Sequence, residues 1–149
     1  MRKDYEFEYA TFGMGNFWYA QKFFDNIHGI ISTKVGFSGG ISKKPNSKDS
    51  GDHTQVIYIE FNSNVISYEV LLDYFWKNHD YTRDNERKYM SVIFYHDLAQ
   101  QLSAKRSLEI IKNNSRKPVM TRLLPFDKFY EAEKFNQDYF RSLDKNTKI

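Results

Sequence analysis

The sequence predicts an α+β fold in which two helices cover one face of a largely antiparallel sheet. Three observations predict it. Apolar residues alternate with polar ones in some segments and recur at helical spacing in others. These segments follow one another as β-α-β-β-α-β, with a further α-β-α behind them. The first six match a split βαβ unit. No linker or internal repeat interrupts the 149 residues, so one domain, 1–149, is expected.

Each element has its own signal. Residues 5–12, "YEFEYATF", alternate aromatic and polar and read as a strand. Asn16 then stands before "FWYAQKFFDNIHG", where Phe17, Ala20, Phe23, Phe24 and Ile27 fall at helical spacing and Gly29 is the expected stop. Asn is among the best N-cap residues, so Asn16 is expected to cap this helix. "IISTKVGFS" is a second strand, closed by Gly39-Gly40, and "ISKKPNSKDSGD" a polar loop. "TQVIYIEF" is the third strand. Ser67 caps a helix over "YEVLLDYFWKNHD", with Val70, Leu71, Tyr74 and Phe75 on one face. After a charged loop, "YMSVIFYH" is a strand and Asp97 caps the longest helix, "LAQQLSAKRSLEIIKNN". "VMTRLLPF" reads as an edge strand and "EAEKFNQDYFRSL" as a last helix.

Composition excludes several function classes. Aromatic residues make up 17% of the chain, so many rings must be buried for it to stay soluble. A net charge of +3, from 22 basic and 19 acidic residues, gives no stripe to track a nucleic-acid backbone. There is no cysteine, which removes disulfides, thiolate metal sites and thiol catalysis. His28, His53, His79 and His96 lie far apart with no zinc-type spacing, and no Gly-x-Gly-x-x-Gly follows the first strand, so no metal or cofactor is expected. No apolar run approaches membrane-spanning length and the N-terminus lacks a signal-peptide core, so no membrane association and a cytoplasmic location are expected.

Several blocks together resemble a known family. "ATFGMGNFW", "GIISTKVGFSGG", "HTQV", "ISYEVLLDYFWKNHD", "SVIFYH" and "FYEAEKFNQDYF" occur in the order and approximate spacing of the methionine sulfoxide reductase A family, from about residue 9 to about residue 140. The resemblance implies a two-layer α+β sandwich on a ferredoxin-like core, with a mixed, mostly antiparallel sheet. It also implies a site. Asn16 stands where the family has its catalytic Cys, and Gln55 where it has the Glu that protonates the sulfoxide oxygen, two residues after His53. Phe17 and Trp18 match the apolar wall that holds the substrate methyl group, although spacing alone would equally place them in a core. Phe37 and Tyr89 match the two tyrosine positions of the polar pocket, and Asp84 its Asp.

Both reactive positions are therefore amides. An amide nitrogen forms no sulfenic acid, and a Gln amide has no transferable proton at neutral pH. The expectation is a pseudoenzyme that has lost thiol-dependent reduction and keeps a pocket of Phe17, Trp18, Phe37, His53, Gln55, Asp84 and Tyr89 for a sulfoxide-like or methyl-bearing small molecule or a Met-containing peptide. Two alternatives stand beside it. One is an enzyme with different, non-redox chemistry, in which Asn16 and Gln55 polarise an oxygen while Asp84, Tyr89 or His53 moves a proton. The other is an interaction module with a vestigial pocket.

Overall fold

The computed structural model describes residues 7–147, with side chains described to residue 143. Its elements are β1 (Phe7–Met14), α1 (Phe17–Phe24), β2 (Ile30–Ser38), β3 (Thr54–Asn62), α2 (Tyr68–Lys77), a 3-10 turn (Arg87–Tyr89), β4 (Ser91–Tyr95), α3 (Leu98–Asn114), β5 (Arg122–Pro125), β6 (Tyr130–Glu131), a second 3-10 turn (Lys134–Asn136) and α4 (Tyr139–Thr147).

The six strands lie in the order β5-β4-β1-β3-β2-β6. The central four, β4-β1-β3-β2, are antiparallel at every seam, which is the ferredoxin-like arrangement. β5 extends one edge parallel to β4, and β6 closes the other edge against Gly36 and Phe37 of β2. Alternation divides the sheet cleanly. Ala10, Phe12 and Met14 of β1, Val35 and Phe37 of β2, and Ile57, Ile59 and Phe61 of β3 pack with α1 and α2 into the main core. Val56, Met90, Val92 and Phe94 form a smaller cluster on the opposite face, closed by Leu124, Phe126 and Phe129. Among the described residues no helix is long and apolar enough to cross a membrane.

The first strand, read over 5–12, runs over Phe7–Met14, with residues 5 and 6 outside the described ones, and β4 and β5 are shorter than the segments read as strands. Three further boundaries differ from the sequence reading. α1 stops at Phe24, well short of Gly29. Asn26 and Ile27 make i→i−3 backbone bonds that tighten the last turn, and the Asn26 amide covers the Lys22 carbonyl. α2 stops at Lys77 because the Asn78 and His79 side chains donate to the Tyr74 and Phe75 carbonyls. The segment 131–143, read as one helix, is three pieces. Glu131 pairs with Gly36 in the sheet, Lys134–Asn136 is a 3-10 turn, and Asp138, at φ 54°, breaks the chain before α4.

Candidate functional site

The site forms where β1 runs into α1. Gly13 lies so close to Val92, the Met90 carbonyl and Thr54 that a side chain there would collide with β4 and β3. Gly15, at φ 93°, turns the chain out of the sheet, a backbone angle that favours glycine. Asn16, its backbone still extended, caps α1, its Oδ1 accepting from the Trp18 N–H at 2.8 Å. Gln55, at the start of β3 and paired with Phe37 of β2, reaches the same helix end. Its Oε1 accepts from the Phe17 N–H at 3.2 Å. The first two amide donors of α1 are thus both engaged by side-chain amide oxygens.

The walls are aromatic. Phe17 is buried and packs against the buried ring of Phe37, with centroids 5.7 Å apart. Trp18 is half-buried and is held at both its edge and its face. Its Nε1–H donates to Asn136 Oδ1 at 2.8 Å, and its indole stacks on Tyr139 at 3.9 Å, nearly parallel. Asn136 is 1% exposed and donates onward to Ser47 Oγ and Glu133 Oε1. Glu133 in turn accepts from the Ser47 N–H and hydroxyl. Residues 132–138 therefore form a strap over α1, fastened also by Gln137 to Val35 and by the Asp138 N–H to Gln21.

Beside the strap lies a cavity of about 160 Å³ lined by Trp18, Gln21, Asp25, Asp138, Tyr139 and Arg141 among others. Burial raises the Asp25 carboxyl above its ordinary value, opposed by the Thr33 hydroxyl that donates to it and reinforced by Asp138. Among the described residues no three His, Asp or Glu side chains converge as a metal would need.

The remaining candidates sit further out. His53 is 1% exposed, with Nδ1 accepting from the Gly40 N–H and Nε2–H donating to the Ser42 carbonyl. Both its nitrogens thus hold the loop before β3. Tyr89 ends the 3-10 turn before β4, half-buried, with Lys88 over its ring. Asp84 is exposed and borders a separate cleft with Arg83, Arg87 and Arg122. Among the described residues no hydrogen bond joins Asp84 or Tyr89 to Asn16 or Gln55. Their loop is tied to the site through its backbone, the Thr54 hydroxyl donating to the Arg87 carbonyl. Asn136 and Tyr139 were not singled out from the sequence. Asn136 ends a 3-10 turn and Tyr139 begins α4, in a segment whose apolar spacing reads as one helix.

Residues 8–148 match the family model described as peptide methionine sulfoxide reductase. The chain is 39% identical over 143 residues to a peptide methionine sulfoxide reductase of Methanococcus maripaludis, covering 89% of this chain and 91% of that one. It is 41% identical over 133 residues to a peptide methionine sulfoxide reductase of Drosophila melanogaster, where the match takes in 87% of this chain but only 54% of the relative. Among solved structures, the reduced form of Mxr1 from Saccharomyces cerevisiae superposes with a TM-score of 0.84 at 25% identity, covering 100% of this chain and 91% of that one. Mxr1 has also been solved in complex with Trx2, where the likeness, at 23% identity, is one of fold.

Proposed function

We propose, from the premise that this chain belongs to the peptide methionine sulfoxide reductase family, that it is a catalytically degenerate member that binds a methionyl or methionine sulfoxide side chain without reducing it. Reduction of a sulfoxide by this family's route requires a thiolate that attacks the sulfur and, as methionine departs, takes up the oxygen and is oxidised to a sulfenic acid. The chain has no cysteine to supply it. The observation that carries the reading is the pairing at the helix end. Asn16 and Gln55 direct their amide oxygens at the Trp18 and Phe17 N–H groups, the donors that would lower a thiol's pKa in the same place. The helix end is satisfied internally and holds no reactive group. What remains is shape and hydrogen bonding. Phe17 and Phe37 lie in the main core, so the apolar face left for a methyl group is that of half-buried Trp18 with those rings behind it, and the Gln55 NH2 is a donor for a sulfoxide oxygen. Tyr89 belongs in this reading to the rim, while buried His53 only holds the loop before β3 and Asp84 lines the separate arginine cleft.

Two measurements test it. A blocked methionine sulfoxide peptide with dithiothreitol is expected to give no turnover, and steady production of methionine would overturn the loss of catalysis. Titration with each sulfoxide epimer and with the unoxidised peptide, followed by tryptophan fluorescence and NMR, is expected to give saturable shifts centred on Trp18. Trp76 is buried and bonded to Ser107, so a Trp76→Phe variant isolates the Trp18 signal. No shift in that variant at millimolar peptide would refute binding.

A further inference from the structure

The cleft at the foot of β4 and β5 gathers three arginines against one carboxylate in its lining. It encloses about 300 Å³ and is lined by Arg83, Asp84, Asn85, Arg87, Arg122 and the two methionines Met90 and Met120. Among the described residues none of the three arginines has a carboxylate within salt-bridge distance. The nearby acids keep their charge but bond to groups outside the cleft. Asp52 accepts from the Ile41 and Ser42 N–H groups, which hold its carboxyl well below the usual range. Asp80 accepts from the Thr82 hydroxyl and N–H, which lower it likewise, with smaller contributions from Lys117 and Arg83 beyond ion-pair distance. Only Asp84 opposes the arginines within the lining.

One of the guanidinium groups is also fixed in place. Arg87 donates from Nε to the Asp52 carbonyl and from Nη2 to the Gly39 carbonyl, while its own carbonyl accepts from Thr54. Carbonyl partners orient the fork without cancelling its charge, and a pre-oriented donor loses less freedom on binding. Asn85 is pinned in the same way by its bond to the Tyr89 carbonyl. Met90, almost fully buried, and Met120 give the cleft an apolar side that would accept a short hydrocarbon stem.

We infer that the Arg83–Arg87–Arg122 cleft is a binding site for the carboxylate of an acidic side chain in a peptide segment. The single opposing charge of Asp84 favours a monoanion over a doubly charged phosphate, and the methionine walls match the methylene stem of Asp or Glu. The site goes beyond the reading of the Asn16 region and does not depend on it. The two share a rim, because Ser91 of the cleft pairs across the sheet with Met14, two residues before Asn16.

The test uses the full chain and blocked Ala-rich peptides that contain Asp or Asn at one position and no methionine. NMR shifts and calorimetry follow the titration, with inorganic phosphate as a separate arm. Expected are saturable shifts at Arg83, Asn85 and Arg122 with the Asp peptide, lost at high salt and absent with the Asn peptide. Arg122→Gln and Arg83→Gln are each expected to weaken binding roughly tenfold, the scale of one charge-assisted hydrogen bond. Both side chains are exposed, and an unchanged amide spectrum away from the cleft confirms that each variant folds. Equal binding of Asp and Asn peptides, or shifts outside the cleft, would overturn the inference. Phosphate that binds tighter than the Asp peptide and displaces it would overturn the carboxylate assignment. Because these peptides lack methionine, they leave the Trp18 titration to stand or fall by itself.

Discussion

Asn16 serves the helix as a cap, contributing ~1 kcal/mol relative to alanine by giving the Trp18 N–H a partner. That role was legible in the sequence, because an Asn before a run of helical spacing has few other uses. The role of Gln55 was legible only in part. The resemblance set it in one pocket with Phe17, but its bond to the Phe17 N–H joins residues 38 apart and has no signal in either segment. The same geometry predicts what a thiol would become here. In an Asn16→Cys variant the sulfur stands at the end of α1, within reach of the Trp18 N–H. Its pKa should fall below the ~8.5 of a free cysteine, as read from the pH dependence of iodoacetamide alkylation. A value at or above that would mean Gln55 and the strap have removed the helix end's preference for negative charge.

At the scale of elements, caps decided what could be foreseen. Ser67 accepts from the Val70 N–H and Asp97 from the Gln100 N–H, so α2 and α3 begin where the sequence placed them. Residues 130–141 were opaque for the opposite reason. Their contacts run to β2, α1 and the loop before β3, while their own sequence has apolar spacing that also fits a helix. The strap's stability rests on Asn136, which is buried and bonded at both ends of its amide. Asn136→Leu removes partners from the Trp18 indole and from Ser47. It is expected to cost about 2 kcal/mol in urea denaturation and to shift Trp18 emission. A loss under ~0.5 kcal/mol would show the strap to be held by Gln137 and the Trp18–Tyr139 stack alone.

Over the whole molecule, the central strand order followed from the succession of elements, since a split βαβ unit admits few arrangements. β6 was invisible because two residues carry no alternation. Two histidines tie the folded state to pH. Burial lowers His79, whose ring bridges the Phe75 carbonyl and Ser91, and burial lowers His96, bonded to Thr11, to about 4. In the unfolded chain both bind a proton near 6.5. Between that value and their folded values the unfolded state holds more protons, so stability falls as pH drops through this window. Urea midpoints are expected to be lower at about pH 5 than at about pH 7, and His96→Gln should recover part of the difference. Equal midpoints at the two pH values would contradict the burial of these rings.

The strap is also the part of the domain that a ribosome delivers late. Until residues 130–139 emerge, Val35 and Gly36 have no neighbour on the outer edge of β2, and Trp18 lacks both Asn136 and Tyr139. A nascent chain halted before residue 130 would expose a bare sheet edge beside an uncovered indole, the combination that invites pairing with another chain. Synthesis therefore passes through an open form of this domain, and only the late residues seal it.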